Sequence, residues 1–121
     1  MASQQEQLRD RTKAFAVRVV RLYKKLPFTA DAQVLGKQLL RCGTAVAANY
    51  RAACRARSKA EWVAKIGIVV EEADETVFWL EMLSDCEIVS SERLKELLTE
   101  AHELSALFTA SQRTARANRW P

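Results

Sequence analysis

Four cations lie close together in the middle of the chain, where Arg51, Arg55, Arg57 and Lys59 occupy four of nine consecutive positions. Guanidinium groups donate paired hydrogen bonds to phosphate, so this cluster is suited to contact a nucleic-acid backbone. The cations also have a structural explanation, because the helix dipole stabilises positive charge near the C-terminus of a helix. Four of them exceed what capping requires. The predicted contacts for phosphate or for an acidic partner are Arg41, Arg51, Arg55, Arg57, Lys59 and Lys65.

The acidic run of Glu71, Glu72, Asp74 and Glu75 raises the question of metal binding or acid–base catalysis. A di-iron helix bundle requires acidic residues on all four helices and two Glu-x-x-His motifs. The sequence has a single histidine, His102, and no Glu-x-x-His motif. Carboxylates without a nucleophile, a histidine or a glycine-rich loop are weak support for catalysis. We therefore expect a non-enzymatic protein with no catalytic residue, metal site, cofactor or small-molecule substrate.

Asn49 is a polar residue that the spacing predicts on the apolar stripe of a helix. A buried amide without a partner costs about 1–3 kcal/mol, so we expect Glu72 or Glu75 of the next helix to bind it. A buried asparagine can also fix helix register or the number of subunits. We interpret Asn49, Glu72 and Glu75 as a structural polar core in preference to a ligand site.

The elements that position these residues are helices, since apolar residues recur four and three apart along the chain. Their predicted ranges are about 4–26, 30–54, 59–85 and 91–112, followed by a basic tail over residues 113–121. Pro27 ends the first helix, Thr29 caps the second, and Ser58 to Glu61 form a capping box for the third. Short connections make consecutive helices antiparallel. The predicted fold class is all-α, an antiparallel up-down-up-down four-helix bundle.

Small residues inside the helices have their own explanations. Gly36 and Gly43 lower helix propensity, and we interpret them as places where a neighbouring helix approaches closely. Cys42, Cys54 and Cys86 are odd in number and lack CxxC spacing, which argues against a disulfide framework and a structural zinc site. We expect all three thiols in or near the core of a protein in a reducing compartment.

Phe78 and Trp79 are adjacent, so their side chains point about 100° apart on a helix and at least one leaves the core. Large aromatic residues outside the core are common at protein interfaces, which favours contact with another subunit. Stacking of a nucleic-acid base on an exposed ring is the alternative.

Length and composition predict one globular domain. The chain has 121 residues, of which 49% are hydrophobic and 28% are charged. A chain of this length supports a single core. No apolar run approaches the roughly 18 residues that span a bilayer, and the polar N-terminus has no apolar signal segment. We expect a cytoplasmic protein with no membrane association.

Charge is distributed unevenly along the sequence. Residues 1–65 contain 14 Lys and Arg against 4 Asp and Glu, whereas residues 66–121 contain 5 against 11, within a total net charge of +4. One explanation is that the two halves pair, within a subunit or between subunits. The other is that the basic half attracts nucleic acid. The sequence leaves both open.

Several segments together indicate a family: QLLRCGTAVAANYRAA at residues 38–53, SKAEW at 58–62, EEADE at 71–75 and FWLE at 78–81. They resemble the four-helix-bundle family of the protein encoded in intervening sequences of bacterial 23S ribosomal RNA genes. That family is similar to the accessory protein of diversity-generating retroelements. The resemblance covers about residues 8–108. After Asn49, however, YRAA replaces the acidic residue and glycine of many members, so an acidic site is not implied here.

The resemblance implies a ring-shaped homopentamer and contacts with RNA or with a reverse-transcriptase-like protein. Together with the charge pattern, it leads us to expect a homo-oligomer whose basic surface binds nucleic acid (RNA or DNA) or a nucleic-acid-processing protein. The alternative is a structural scaffold whose charges are used in the subunit interfaces.

Overall fold

The structure, a computed structural model, describes residues 2–117 and contains four α-helices within that range. They are α1 (Gln4–Lys24), α2 (Ala30–Ala53), α3 (Lys59–Asp85) and α4 (Ser91–Arg116). Each helix packs against the next in the chain, and α4 returns to α1, so that α1 and α3 lie diagonally across the bundle. The prediction of an all-α four-helix bundle is confirmed.

Two helix ends differ from their predicted positions by more than one residue, and α2 ends one residue early, at Ala53. α1 ends at Lys24 because the N–H groups of Lys25 and Leu26 turn back to the carbonyls of Leu22 and Tyr23 in a tighter turn before the proline. α4 continues to residue 116, four residues into the predicted basic tail, and it buries Ala115 there. The remaining tail, residues 118–121, lies outside the described residues.

The core position predicted for Asn49 is occupied by Tyr50 instead. Tyr50 is 2% exposed, and its ring is tilted against Phe108 with centroids 5.2 Å apart. From Val46 the buried stripe therefore steps four residues, not three. Asn49 is half-buried, and its amide donates to the carbonyl of Ala45 in its own helix at 2.9 Å. The prediction that Glu72 or Glu75 would bind Asn49 is wrong.

The two glycines of α2 lie where α1 approaches closely, as interpreted from the sequence. A Cβ atom on Gly43 would lie 2.9 Å from both methyl groups of Val19, and one on Gly36 would lie 2.5 Å from Leu26 Cδ1. Both distances are shorter than ordinary van der Waals contact. The glycines therefore set the close packing of α1 on α2.

The three cysteines do not share the core environment that the sequence predicts. Cys42 is buried and Cys54 is half-buried, and burial raises the pKa of both thiols. Cys86 is exposed, because it caps the C-terminus of α3 at the turn toward α4. The prediction is therefore wrong for Cys86.

Candidate nucleic-acid interface

A groove runs between α1 and α2 at the end of the bundle where α1 begins. Its volume is about 520 Å³. Four cations line it, Arg9 and Lys13 from α1 and Arg51 and Arg55 from α2 and its C-terminal turn, together with the single carboxylate of Asp10. We call this the basic groove; its other lining residues are Thr44, Ala47 and Ala48.

Helical spacing explains why these cations converge. Arg9 and Lys13 are four residues apart and share one face of α1. Arg51 lies in the last turn of α2, and Arg55 follows in the turn just after that helix ends. Antiparallel packing brings the start of α1 beside the end of α2. Small side chains line the groove between the two pairs, among them Ala47. The four charged groups can therefore approach one extended anion without obstruction from larger neighbours.

The charges of the basic groove are not neutralised by ion pairs with the residues that the structure describes. All four cations are exposed, and the described residues include no ion-pair partner for any of them. Four cations against one carboxylate give the groove a net charge of +3. An exposed surface with unpaired cations of this kind attracts phosphate through a salt-dependent electrostatic interaction.

Arg41, one of the predicted contacts, is engaged with α3. Its Nη1 lies 3.1 Å from an oxygen of Glu72, and its Nη2 lies 2.6 Å from an oxygen of Glu75. The hydrogen bond to Glu75 raises the pKa of Arg41 above its usual value. Glu72 and Glu75 therefore pair with Arg41 and not with Asn49. For Arg41, the basic and acidic halves of the chain do pair within one subunit.

A second arginine that the sequence did not single out is paired in the same way. Arg11 of α1 donates to both oxygens of Glu100, at 2.8 and 2.6 Å, and to Glu103 at 2.9 Å. This hydrogen bonding lowers the pKa of Glu100. It joins α1 to α4, the helix pair of the bundle that otherwise packs least extensively among neighbours.

The remaining predicted contacts lie outside the basic groove. Arg57 is exposed in the α2–α3 connection, and its backbone N–H donates to the carboxylate of Glu61 at 3.3 Å. Lys59 and Lys65 are half-buried near the start of α3. The structure thus brings together Arg51 and Arg55 from the predicted set and adds two cations of α1. Their four-residue spacing on the polar face of α1 was the available signal in the sequence.

Phe78 and Trp79 lie on α3, away from the basic groove. Phe78 is 49% exposed and meets the half-buried Trp79 edge to face, with ring centroids 4.8 Å apart. The prediction that at least one of them leaves the core is confirmed. Because neither lines the groove between α1 and α2, base stacking there would not use them.

The family model of the 23S rRNA-intervening sequence protein matches residues 4–110. The chain belongs to this family. A similar solved structure is that of a protein of unknown function from the S23 ribosomal protein family of Bacteroides thetaiotaomicron, with 35% sequence identity and a TM-score of 0.85. The alignment covers 93% of this chain and 100% of that one. No curated protein matches the sequence. The resemblance inferred from the sequence is confirmed.

Between residues 2 and 117, no group of three or more His, Cys, Asp or Glu side chains is placed to hold a metal ion. Within the same range, none of the helices has the length and apolar character needed to cross a membrane.

Proposed function

We propose that this protein binds nucleic acid, RNA or DNA, or a nucleic-acid-processing protein, through the basic groove. In this proposal the protein is a cytoplasmic homo-oligomer that catalyses no reaction. The family resemblance favours a pentamer. It also favours a reverse-transcriptase-like protein as the nucleic-acid-processing partner. The observation that carries the proposal is the convergence of Arg9, Lys13, Arg51 and Arg55, for which residues 2–117 supply no ion-pair partner.

The chemistry of the basic groove favours contact with the backbone over recognition of bases. Arginine and lysine contacts to phosphate position a protein on nucleic acid but carry no direct sequence information. Neutralising phosphates releases counterions, which lowers log K by about 0.7 to 0.9 per contact for each unit of log salt. Four contacts per subunit therefore predict a slope of about −3 to −4 for each subunit that engages the strand.

The test is a salt titration of RNA and DNA binding, measured by the fluorescence anisotropy of labelled oligonucleotides. The variant Arg51→Glu/Arg55→Glu removes two groove cations and should abolish binding at moderate salt. Lys37→Glu/Lys95→Glu makes the same change in net charge at exposed lysines outside the groove. It should retain most of the affinity. Equal losses in the two variants would mean that overall charge, and not the basic groove, drives binding.

The second candidate function is a structural scaffold, and the ion pairs of Arg11 and Arg41 favour it. These arginines show that part of the basic half is used to hold helices together. Light scattering of the samples used in the titration separates the two functions. If Arg51→Glu/Arg55→Glu loses its assembled mass, and the parent protein binds no nucleic acid at low salt, the groove cations serve subunit contacts and the scaffold is correct.

A further inference from the structure

The C-terminal half of α1 presents a second, separate set of cations. From residue 11 to residue 25 the chain contains no Asp or Glu. Val17 is 39% exposed beside Arg18, Arg21, Lys24 and Lys25, and none of these four cations has an ion-pair partner within the described residues. The adjoining α4 contributes one charge of each sign, Arg93 and Glu96. The exposed residues that form this α1 basic face are Val17, Arg18, Arg21, Lys24 and Lys25.

The outer side of α3 has the opposite character. From residue 66 to residue 85 the chain contains no Lys or Arg. Two large apolar residues are exposed there, Ile68 at 45% and Phe78 at 49%. Two exposed acidic residues follow each of them, Glu71 and Asp74 after Ile68 and Glu81 and Asp85 after Phe78. None of these four carboxylates has an ion-pair partner in the described part of the chain. The exposed residues that form this α3 acidic face are Ile68, Glu71, Asp74, Phe78, Glu81 and Asp85.

The two faces lie on opposite sides of the bundle, because α1 and α3 are diagonal helices. Both helices run in the same direction. A layer of the core contains Phe15 of α1 together with Ala73 and Thr76 of α3, which fixes their relative heights. Counting from that layer at 1.5 Å per residue, residues 17–25 of α1 stand level with about residues 75–85 of α3.

We propose that the α1 basic face of one copy packs against the C-terminal part of the α3 acidic face of the next copy, formed by Phe78, Glu81 and Asp85, so that subunits associate head to tail. This inference rests on the proposed homo-oligomer and identifies its interface. Val17 would meet the aromatic side chain of Phe78, which stands at nearly the same height, and Glu81 and Asp85 would face the cations around it. Ile68 stands about 13 Å lower and would lie outside this contact. Apolar centres with polar rims are typical of protein interfaces.

The charge pattern selects this arrangement over a twofold one. A twofold contact places the same surface on both subunits, which would set α1 cations against α1 cations. Like charges placed opposite one another are costly. A head-to-tail contact joins opposite charges, and a rotation about an axis parallel to the bundle keeps residues of equal height facing each other. Such a contact generates a ring when the rotation closes. The basic groove, formed by the first half of α1, stands level with about residues 68–73 of α3 and therefore lies below this contact.

The test exchanges the charges of the two faces in the full-length chain. Arg21→Glu/Lys24→Glu reverses the α1 basic face, and Glu81→Lys/Asp85→Lys reverses the α3 acidic face. Light scattering and native mass spectrometry measure the assembled mass, and circular dichroism verifies helical folding. We expect each double variant to shift toward the 13.7 kDa monomer. Its subunit dissociation constant should rise at least tenfold. The fourfold variant, which carries both reversals, should recover the parent mass because its faces are complementary again.

An equimolar mixture of the two double variants provides a second measurement if the fourfold variant folds poorly. Each mixed contact joins opposite charges, so the mixture should assemble where neither variant does alone. Double variants that retain the parent mass, or folded fourfold and mixed samples that stay monomeric, would overturn the placement of the interface while leaving nucleic-acid binding untouched. A parent protein that is monomeric at all concentrations would overturn both this inference and the proposed homo-oligomer.

Discussion

Replacing Gly43 with alanine tests the close packing of α1 on α2. The new Cβ would lie 2.9 Å from both methyl groups of Val19, which is fully buried. Val19 has little freedom to move aside, because a β-branched residue in a helix has one strongly preferred χ1 rotamer. Gly67→Ala in α3 is the matched control. Its Cβ would meet only Nε2 of Gln112, the far end of a flexible side chain, at 2.8 Å.

The magnitude follows from two opposing terms. Alanine is better than glycine by about 0.8–1 kcal/mol in a helix interior. Overpacking of a filled core costs about 1–3 kcal/mol. Gly67→Ala should keep the first term and raise the free energy of unfolding by about 1 kcal/mol. Gly43→Ala combines both terms and should lower the free energy of unfolding by up to about 2 kcal/mol.

Urea denaturation, monitored by circular dichroism, measures the free energy of unfolding of both variants. Protein concentration must be matched and then varied tenfold, because subunit association contributes to the apparent stability of an oligomer. A double-mutant cycle with Val19→Ala should show a favourable coupling of about 1 kcal/mol or more, since the smaller side chain makes room for the new methyl group. If Gly43→Ala stabilises the protein as much as Gly67→Ala does, Val19 does not restrict the space at Gly43 and the close packing of the two helices there is wrong.

Three further predictions concern single side chains. Arg11→Met should destabilise the protein by about 1 kcal/mol at pH 7. The loss should shrink as the pH falls through the lowered pKa of Glu100, where its carboxylate is protonated, and urea denaturation at pH 7 and pH 3 checks this. Ser58→Ala removes the hydroxyl that accepts from a backbone N–H at the start of α3 and should cost about 1 kcal/mol, whereas Ser58→Gly should cost only a few tenths. Cys86 should react first with a thiol reagent and buried Cys42 only on unfolding; a fast phase that survives in Cys86→Ser would contradict the assigned exposures.

Hydrophobic spacing was sufficient to predict the helices, because each stripe had to be buried against the others. Spacing alone did not settle single positions. At Val46 both a three-residue and a four-residue step continue a helical stripe, and the larger apolar ring of Tyr50 takes the buried place over Asn49. The extension of α4 was missed because Ala115 is small and its neighbours are polar, although it packs as a buried residue.

The candidate site was only half predictable, since it is made by two helices. The arginines at the end of α2 lie close together in the sequence, and this clustering predicted a phosphate-binding site there. Arg9 and Lys13 lie some 40 residues earlier, and they join Arg51 only because α1 and α2 are antiparallel. Arg41 looked equivalent to Arg51 in the sequence. Arg41 lies on the side of α2 that faces α3, where it forms an ion pair with Glu72, whereas Arg51 faces the basic groove.

The division of the α1 cations between two surfaces predicts whether nucleic acid and a second subunit can bind at the same time. The basic groove uses the first half of α1, through Arg9 and Lys13, whereas the proposed subunit contact uses the second half, through Arg21 and Lys24. Because the two sets do not overlap, nucleic acid should bind the intact oligomer. Native mass spectrometry with a labelled RNA should therefore record the parent assembly plus RNA. If RNA instead releases monomers, phosphate and the α3 acidic face compete for the same cations, and the division of α1 into two surfaces is wrong.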